Sequence, residues 1–176
     1  LLAAPPSAAV TVVEMGTSAP GEIAVLEAIA TPDVRLVINV GPGHLQELGG
    51  LDGVAVEKGA LVRAARPGDT VVLNADDPRV AAMDTGLASQ VLTYGRAAGA
   101  DVRLLEARVD PVAMTTAARW STPGGEVAAT IPAAGEHLAH NGAAALAVAV
   151  AGLALLTLPR RPGQRRHWLR PSAIAL

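Results

Sequence analysis

The sequence predicts an α/β protein: a mostly parallel, doubly wound sheet with helices on both faces, plus a small antiparallel β segment at about residues 102–131. Two observations carry this prediction. In the first half of the chain, short apolar runs rich in β-branched residues alternate with helical patterns, as in βαβ units. Three further strand-like runs then follow one another without an intervening helix, which is typical of antiparallel hairpins.

The first half of the chain contains four predicted strands and three predicted helices. The strands lie at residues 8–15, 35–40, 70–73 and 90–94. Their nearly continuous apolar character is the pattern of strands buried on both faces of a parallel sheet. The helices lie at residues 22–30, 51–66 and 78–88. Asp77 is the predicted N-cap of the third helix, with Pro78 at its first position.

The second half contains three predicted strands and one long helix. The strands lie at residues 102–109, 114–120 and 126–131, and the helix at 136–156. Residues 142–158 carry no charge and precede a run of arginines, which also fits a membrane span with a basic flank. The stretch is short for a span and rich in alanine, so a core helix packed on the sheet is favoured.

Composition bounds the class of protein. A chain of 176 residues is long enough for one domain with a real core. Because only 2% of the residues are aromatic, that core must consist of Ala, Val and Leu. The net charge of −2 gives no reason to expect a nucleic-acid partner, and the lack of cysteine excludes disulfides and thiolate metal sites. The predicted organisation is a domain over residues 1–156 and an irregular basic tail over 157–176. The first residues do not resemble a signal peptide.

Three polar side chains are candidates for chemistry. Glu14 ends the first predicted strand, and His44 follows the Gly-Pro-Gly turn after the second, which is predicted to be its neighbour in the sheet. Open α/β sheets bind ligands at these strand ends, although Glu14 also fits a helix cap and His44 a plain turn residue. Lys58 is the only lysine beside thirteen arginines. It is therefore either a solvated lysine or the one ammonium that can be deprotonated and modified.

Four blocks in the sequence carry a family resemblance. They are VVEMGTSAPGEI, NVGPGHLQELGGLDGVAVEKGAL, VVLNADDPRV and GEHLAHNGAAALA, in this order. Together they resemble the central, ATP-binding domain of the Mur ligases over roughly residues 9–152. The resemblance implies a cytoplasmic, ATP- and Mg²⁺-dependent ligase of peptidoglycan synthesis. In this family, ATP phosphorylates a carboxylate, and an amine attacks the resulting acyl-phosphate to form an amide.

The blocks are most similar to the family member that joins D-alanyl-D-alanine to UDP-N-acetylmuramoyl-tripeptide. The resemblance therefore implies these two partners. The net charge argues against nucleic acid, and the favoured core-helix interpretation of residues 142–158 argues against a membrane partner. Two alternatives stay open. One is another Mur ligase or a folylpolyglutamate-synthase-like ligase. The other is a non-catalytic remnant that associates with a membrane through residues 142–170.

The resemblance also implies roles for individual residues. Glu14 and His44 match the family's magnesium ligands, and Lys58 matches the lysine that the family carbamylates. Catalytic roles are thereby implied for Lys58 and His44. The residues implied in binding ATP are Asn74, His137 and Asn141.

The chain departs from the family pattern in four ways. The glycine-rich phosphate loop that the family carries upstream of its glutamate is not found before Glu14. Leu138 stands where the family has an asparagine, which bears on adenine binding, and Ala60 replaces a frequent acidic residue. The family's separate C-terminal domain is also not found. The sequence therefore predicts a ligase fragment that is inactive by itself.

Overall fold

The computed structural model describes residue 8 and residues 10–157 and 172–175. The strands are β1 (Val10–Val13), β2 (Val34–Val37), β3 (Thr70–Asn74), β4 (Gln90–Gly95), β5 (Val102–Asp110), β6 (Thr115–Thr122), β7 (Gly125–Ile131) and β8 (Ser172–Ala175). The helices are α1 (Glu22–Ala30), α2 (Leu45–Leu48), α3 (Leu51–Arg63), α4 (Pro78–Ala81) and α5 (Glu136–Thr157).

All the strands of the described residues join one sheet, in the order β1-β8-β2-β3-β4-β5-β6-β7. Neighbours from β1 to β5 are parallel, whereas β5, β6 and β7 are antiparallel. The predicted fold class is therefore confirmed, including the antiparallel segment. Parallel neighbours place all their carboxyl ends at one edge of the sheet, and this edge is where the candidate site lies.

The sheet is buried on both faces. Alternate residues of a strand point to opposite faces, and β3 shows this directly, with every residue buried. Val71 and Leu73 join an apolar cluster with residues of α1, α3 and α4, whereas Val72 joins a second cluster with α5. This arrangement explains why the parallel strands are apolar at every position rather than at every second one.

Helix α5 contacts the sheet through a stripe of alanines that are at most 3% exposed. They are Ala139, Ala143, Ala144, Ala147 and Ala151. A side chain at Gly142 would lie 2.7 Å from the buried indole of Trp120, so the helix approaches β6 closely because this residue is a glycine. By length and apolarity, Glu136–Ala154 also passes as a membrane span. Its alanine stripe, however, faces strands, as the favoured core-helix prediction requires.

A buried cluster of charges ties α1 and the start of β3 to β2. The Arg35 guanidinium, with no exposed surface, pairs with Glu27 of α1 and Asp69 before β3, both at 2.7 Å. The Nε atom of Arg35 is buried without a hydrogen-bond partner. Two carboxylates around one guanidinium are needed here, because an unpaired charge in this position costs several kcal/mol.

Two helix predictions need correction. The predicted helix over 78–88 ends at Ala81, and the rest of that range is a turn in which Gly86 has a left-handed φ of 59° and donates its backbone N–H to Asp84. The second correction is a short helix, α2, in a segment where only a loop was predicted. The Gly49-Gly50 pair ends α2 and opens α3, and both glycines have positive φ.

Strand β8 changes the expected neighbourhood of β1. The sequence predicted that the strands carrying Glu14 and His44 are neighbours, but β8 lies between β1 and β2 and is parallel to both. That prediction was wrong, because the α1 crossover skips one strand position. The tail, predicted to be irregular, contributes this strand at Ser172–Ala175. Residues 158–171 of the tail lie outside the described residues.

Candidate functional site

The candidate residues gather around the carboxyl edge of the parallel strands. Glu14 directly follows β1, His44 lies in the segment after β2, and Asn74 is the last residue of β3. Lys58 reaches this edge from the middle of α3. Asn141 and His137 lie in the first turns of α5. The fold therefore explains why residues far apart in sequence belong to one edge.

Lys58 is partly buried, and its ammonium donates a hydrogen bond of 2.7 Å to the carbonyl oxygen of Asn39, just after β2. Burial lowers the pKa of Lys58 from its usual range, and the negative charge of Asp77 opposes this effect. A lysine with a lowered pKa spends more time as the neutral amine, which is the nucleophilic form. Lys58 is therefore a half-buried amine at the carboxyl edge of the sheet and not a fully solvated surface lysine.

Asp77 links the segments that follow β2 and β3. One carboxylate oxygen accepts a hydrogen bond of 2.8 Å from the backbone N–H of Val40. The other accepts from the backbone of Arg79 and Val80, so Asp77 is the N-cap of α4 with Pro78 at the first position, as predicted. These hydrogen bonds to both oxygens fix the Asp77 carboxylate, whose negative charge acts on Lys58.

The loop after β1 is organised by two carboxylates. Glu22 accepts hydrogen bonds from the backbone of Ser18 and Ala19, and these bonds lower its pKa. Glu57 of α3 accepts from the backbone of Gly21 and from Ile23. Because these amides already hold carboxylates, this glycine-containing loop does not offer them to a phosphate, unlike a phosphate-binding loop.

His44 borders an open groove of about 870 Å³ beside this loop. The lining residues include Thr17, Glu22 and Leu26. His44 itself is exposed, has a left-handed φ of 51° and makes no side-chain cap to α2. Such a conformation is uncommon for a residue with a side chain and points to a local constraint. The imidazole therefore lies exposed at the border of the groove.

The side chains at this edge offer few ligands for a magnesium ion. Within residues 8, 10–157 and 172–175, no group of three or more His, Cys, Asp or Glu side chains is placed to hold a metal. Mg²⁺ keeps several waters and takes as few as one or two protein ligands, preferably carboxylates. The exposed carboxylate of Glu14 fits that chemistry, whereas β8 lies between its strand and the strand that precedes His44.

Asn74 is buried and already serves the local structure. Its amide nitrogen donates to the carbonyl oxygen of Ile38 at 2.8 Å, and its amide oxygen accepts from the backbone N–H of Asp76 at 2.9 Å. A carboxamide has a second N–H and a second lone pair. Contact with a nucleotide would therefore use the remaining N–H and the remaining lone pair of the Asn74 carboxamide.

Asp76 and His140 form a pair that joins the end of β3 to α5. The His140 Nε2 lies 2.8 Å from one carboxylate oxygen of Asp76. That oxygen also accepts a hydrogen bond from the backbone N–H of Arg96, and the other oxygen accepts one from Ala97. Burial works against ionisation of Asp76, but these hydrogen bonds and His140 lower its pKa overall. A side chain at Gly95 would lie 2.7 Å from this carboxylate, so a glycine is needed there.

The predicted nucleotide-binding residues of α5 lie beside this pair. His137 and Asn141 are exposed and four residues apart, so they share one face of the helix. On the same first turn, Glu136 forms an ion pair with Arg96 of the loop after β4. The His140 ring meets the Tyr94 ring edge-on, with centroids 5.5 Å apart. Burial, together with Asp76 and Asp77, raises the Tyr94 pKa.

Sequence reasoning missed Glu57, Asp76 and His140. Glu57 had a readable signal: it shares the inward stripe of α3 with Val54 and Leu61, and a carboxylate in an apolar stripe calls for partners. Asp76 stands beside the N-cap that was predicted, but its bonds to the loop after β4 have no signal in the sequence. The pairing of His140 likewise depends on how α5 lies across β3.

Comparison with known proteins places this arrangement in a family. The family described as Mur ligase middle domain matches residues 1–149. The UDP-N-acetylmuramoyl-tripeptide--D-alanyl-D-alanine ligase of Bacillus subtilis is 30% identical over 147 residues, which cover 84% of this chain and 31% of that protein.

Two crystal structures share the fold. MurF from Acinetobacter baumannii, in its crystal structure I, has a TM-score of 0.70 and 28% identity, covering 85% of this chain and 34% of its own. The MurF ligase from Thermotoga maritima, in complex with ADP, has a TM-score of 0.62 and 24% identity, covering 85% and 36%. This chain therefore spans about a third of the length of these relatives. Because the family match extends over most of the sequence, the chain belongs to the Mur ligase middle domain family.

Proposed function

We propose that this chain is the central domain of an ATP-dependent ligase that joins D-alanyl-D-alanine to UDP-N-acetylmuramoyl-tripeptide. In that reaction, ATP phosphorylates the carboxylate of the peptide, and the amine of the dipeptide attacks the acyl-phosphate, releasing phosphate. The observation that carries the proposal is Lys58. The only lysine of the chain is partly buried at the carboxyl edge of the sheet, with a lowered pKa.

Lys58 acts in this proposal as a carbamate. Its neutral Nζ forms a bond to the carbon of CO₂, and the proton leaving the nitrogen passes to water, so the product carries one negative charge. Burial supports the step, because it raises the share of the neutral amine. The change from a positive to a negative side chain makes this position attractive to cations at the site.

Glu14 and His44 are the residues that would hold Mg²⁺. When bound, the ion would neutralise charge on the phosphoryl oxygens that are transferred. Glu14 supplies a carboxylate at the strand end, and His44 borders the groove beside it. Both residues follow parallel strands and so belong to the same edge of the sheet, where they would orient the phosphates and the peptide carboxylate.

Asn74, His137 and Asn141 form the proposed nucleotide side. Asn74 is held rigidly by its two hydrogen bonds, and α5 presents the other two side chains on one face. Rigid placement lowers the entropy lost when a nucleotide binds. Leu138, which replaces the family's asparagine, is partly buried and contributes no hydrogen bond through its side chain.

The finer assignments belong to the same proposal. D-alanyl-D-alanine and the UDP-linked tripeptide are named for the relatives of B. subtilis and other bacteria, and they come to this chain by that similarity. Cytoplasmic location follows from where such nucleotide substrates and ATP are found. The buried alanine stripe of α5 favours a helix in the core over one in a membrane.

The test has two parts. First, ¹³C-bicarbonate is added to the 176-residue chain, and NMR should show a carbamate carbon, distinct from that of the N-terminal amine, that is absent in Lys58→Arg. Second, phosphate release from ATP is measured in a protein that combines this chain with the remaining two thirds of the relatives' length. Release should require both UDP-N-acetylmuramoyl-tripeptide and D-alanyl-D-alanine, and a single amino acid should not replace the dipeptide.

The second assay also separates a catalytic lysine from a solvated one. Lys58→Ala should lose most activity, and acetate or formate should restore part of it by occupying the vacated anionic position. Lys58→Arg should not be rescued, because its guanidinium stays charged and fills the space. Full activity in Lys58→Ala would overturn the assigned role of this residue, and activity with other acceptors would overturn the substrate assignment.

A further inference from the structure

Glu57 is a buried acid that the proposed reaction does not use. It lies on the inward stripe of α3 and is 5% exposed, between Val54 and Leu61, each 3% exposed. A carboxylate in such a place costs several kcal/mol unless hydrogen bonds compensate for the lost water. Its contacts should therefore reveal why an acid is kept there.

The donors to Glu57 all come from the segment after β1. Its two oxygens accept hydrogen bonds from the backbone N–H of Gly21 at 2.7 Å and of Ile23 at 2.8 Å. The hydroxyl of Thr17 also lies 3.3 Å from a Glu57 oxygen, with Glu22 and the carbonyl oxygen of Ala19 as its alternative acceptors. Gly21 is the N-cap of α1 and has no side chain to satisfy the first amides of the helix. Glu57 replaces that cap from another helix and places its charge at the positive end of the α1 dipole.

The neighbouring residue in α3 holds a different segment. Lys58 donates to the carbonyl oxygen of Asn39, which follows β2. Consecutive side chains on a helix point about 100° apart, so these two residues reach the two segments in different directions. Glu14 lies three positions before Thr17, and His44 lies five after Asn39. Helix α3 is thus fastened to both segments that carry the candidate ligands.

We propose that Glu57 is a positioning residue, which holds the segment carrying Glu14 and Thr17 in a fixed relation to Lys58. The inference rests on the proposed function, because it takes Glu14 and Lys58 as parts of one reaction centre. The segment ends in a loop whose geometry is set by Glu57 and Glu22, and α3 transmits that geometry to Lys58. Without the carboxylate, α1 loses its cap and the two sides of the centre move independently.

Lys58 makes this coupling measurable, because a chain with one lysine gives one signal after lysine-selective ¹³C labelling. The variant is Glu57→Asp in the full 176-residue chain, which keeps the charge but shortens the side chain so that it no longer reaches the amides. Amide exchange at Gly21 and Ile23 should rise about tenfold or more, since hydrogen bonds to charged groups are among the stronger ones. Exchange in β3 should stay unchanged, and the Lys58 signal should shift or broaden.

Two controls keep the result interpretable. Thr17→Val leaves α3 unaltered and removes a hydroxyl that lies within reach of Glu57, of Glu22 and of the Ala19 carbonyl oxygen, so a shift of the Lys58 signal there shows that the loop is coupled to Lys58. Glu126→Asp makes the same chemical change at an exposed residue of β7 and should leave all three readouts unchanged. If Glu57→Asp also unfolds β3, Thr17→Val alone decides the question.

The outcomes separate this proposal from the proposed function. Faster exchange in α1 with an unaltered Lys58 signal in both variants would show a helix cap only and overturn the positioning role. A wild-type chain that forms no Lys58 carbamate, yet shows the coupled changes, would count against the proposed chemistry and not against the coupling. In the longer protein, Glu57→Asp should lower kcat with little change in the KM for the dipeptide.

Discussion

The two ends of the sheet are held together in different ways. At one end, β5, β6 and β7 follow each other in the chain and pair over long antiparallel stretches, such as Ala107 with Ala118 and Ala118 with Ala129. At the other end, β1 pairs along its length with β8, which comes from the far end of the chain. The first arrangement needs only neighbouring segments, and the second needs the whole fold.

This difference bears on the candidate site. Glu14 extends from β1, so its position depends on β8 and on the loop that Glu57 holds. The nucleotide side depends on α5, which packs on strands from β2 to β6 through its alanine stripe. Contacts between segments far apart in the sequence therefore position Glu14, whereas mostly consecutive strands form the surface on which α5 packs. A change in one of these contacts should therefore disorder the two parts of the candidate site to different extents.

The largest expected effect is at the buried charge cluster of the parallel end. Arg35→Ala leaves Glu27 and Asp69 without their shared cation in a buried setting. We expect the free energy of unfolding to fall by about 3–5 kcal/mol. Urea unfolding followed by circular dichroism measures it. Arg79→Ala, at an exposed pair with Asp52, is the matched control and should cost about 1 kcal/mol or less. Equal losses in both variants would contradict this account.

The next effect tests the dependence of β1 on β8. A chain ending at residue 157 lacks β8, the strand partner of β1 among the described residues. We expect β1 to lose its amide protection and the chain to lose about 2–3 kcal/mol, at roughly 1 kcal/mol for each backbone hydrogen bond. Hydrogen exchange read by NMR should show β5, β6 and β7 still protected. Retained protection in β1 would mean that another contact holds it.

A smaller effect is expected at the antiparallel end. Gly142→Ala places a methyl group against the Trp120 indole, so the helix must shift away from β6. We expect a loss of about 1–3 kcal/mol by overpacking. Gly152→Ala, where the added carbon meets nothing within 4 Å, should instead gain up to about 1 kcal/mol from helix propensity. Thermal melts of both variants give the comparison, and a stabilised Gly142→Ala would contradict the close contact.

The smallest effect is the pH dependence from Lys58. Burial makes its folded pKa lower than its unfolded value, so the unfolded chain binds more protons in the interval up to about 10.5. Stability should therefore rise with pH through that interval, as the cost of burying the charged form disappears. The raised pKa of Tyr94 acts in the opposite direction above pH 10, where the unfolded chain loses the phenol proton first.

The measurement compares urea midpoints of the wild type and Lys58→Met between pH 8 and 10. The contribution of Tyr94 cancels, because both chains contain it. The wild type should gain stability relative to Lys58→Met as the pH rises. An equal response in both chains would mean that the ammonium of Lys58 is as well solvated in the folded state as in the unfolded one.

The sequence by itself determined the class of fold and most of its elements. Continuous apolar runs such as residues 70–73 mark strands buried on both faces, and the Pro-Gly-Gly turn marks the β6–β7 hairpin. Asp77 with Pro78 marked the start of α4, and the inward stripe of α3 was readable at Val54 and Leu61. These features are local, because turn chemistry, capping and periodicity act over a few residues.

Only the tertiary structure decided what meets at the carboxyl edge. Nothing near β1 in sequence announces that β8 separates it from β2, since strand order depends on distant pairing. The turn after α4 lies against a distant segment, since Gly86 meets the backbone of Arg63. The burial that lowers the Lys58 pKa and the donors that surround Glu57 likewise come from segments 19 to 40 residues away. Electrostatics and hydrogen bonding act through space, so a linear pattern names the residues but not their partners.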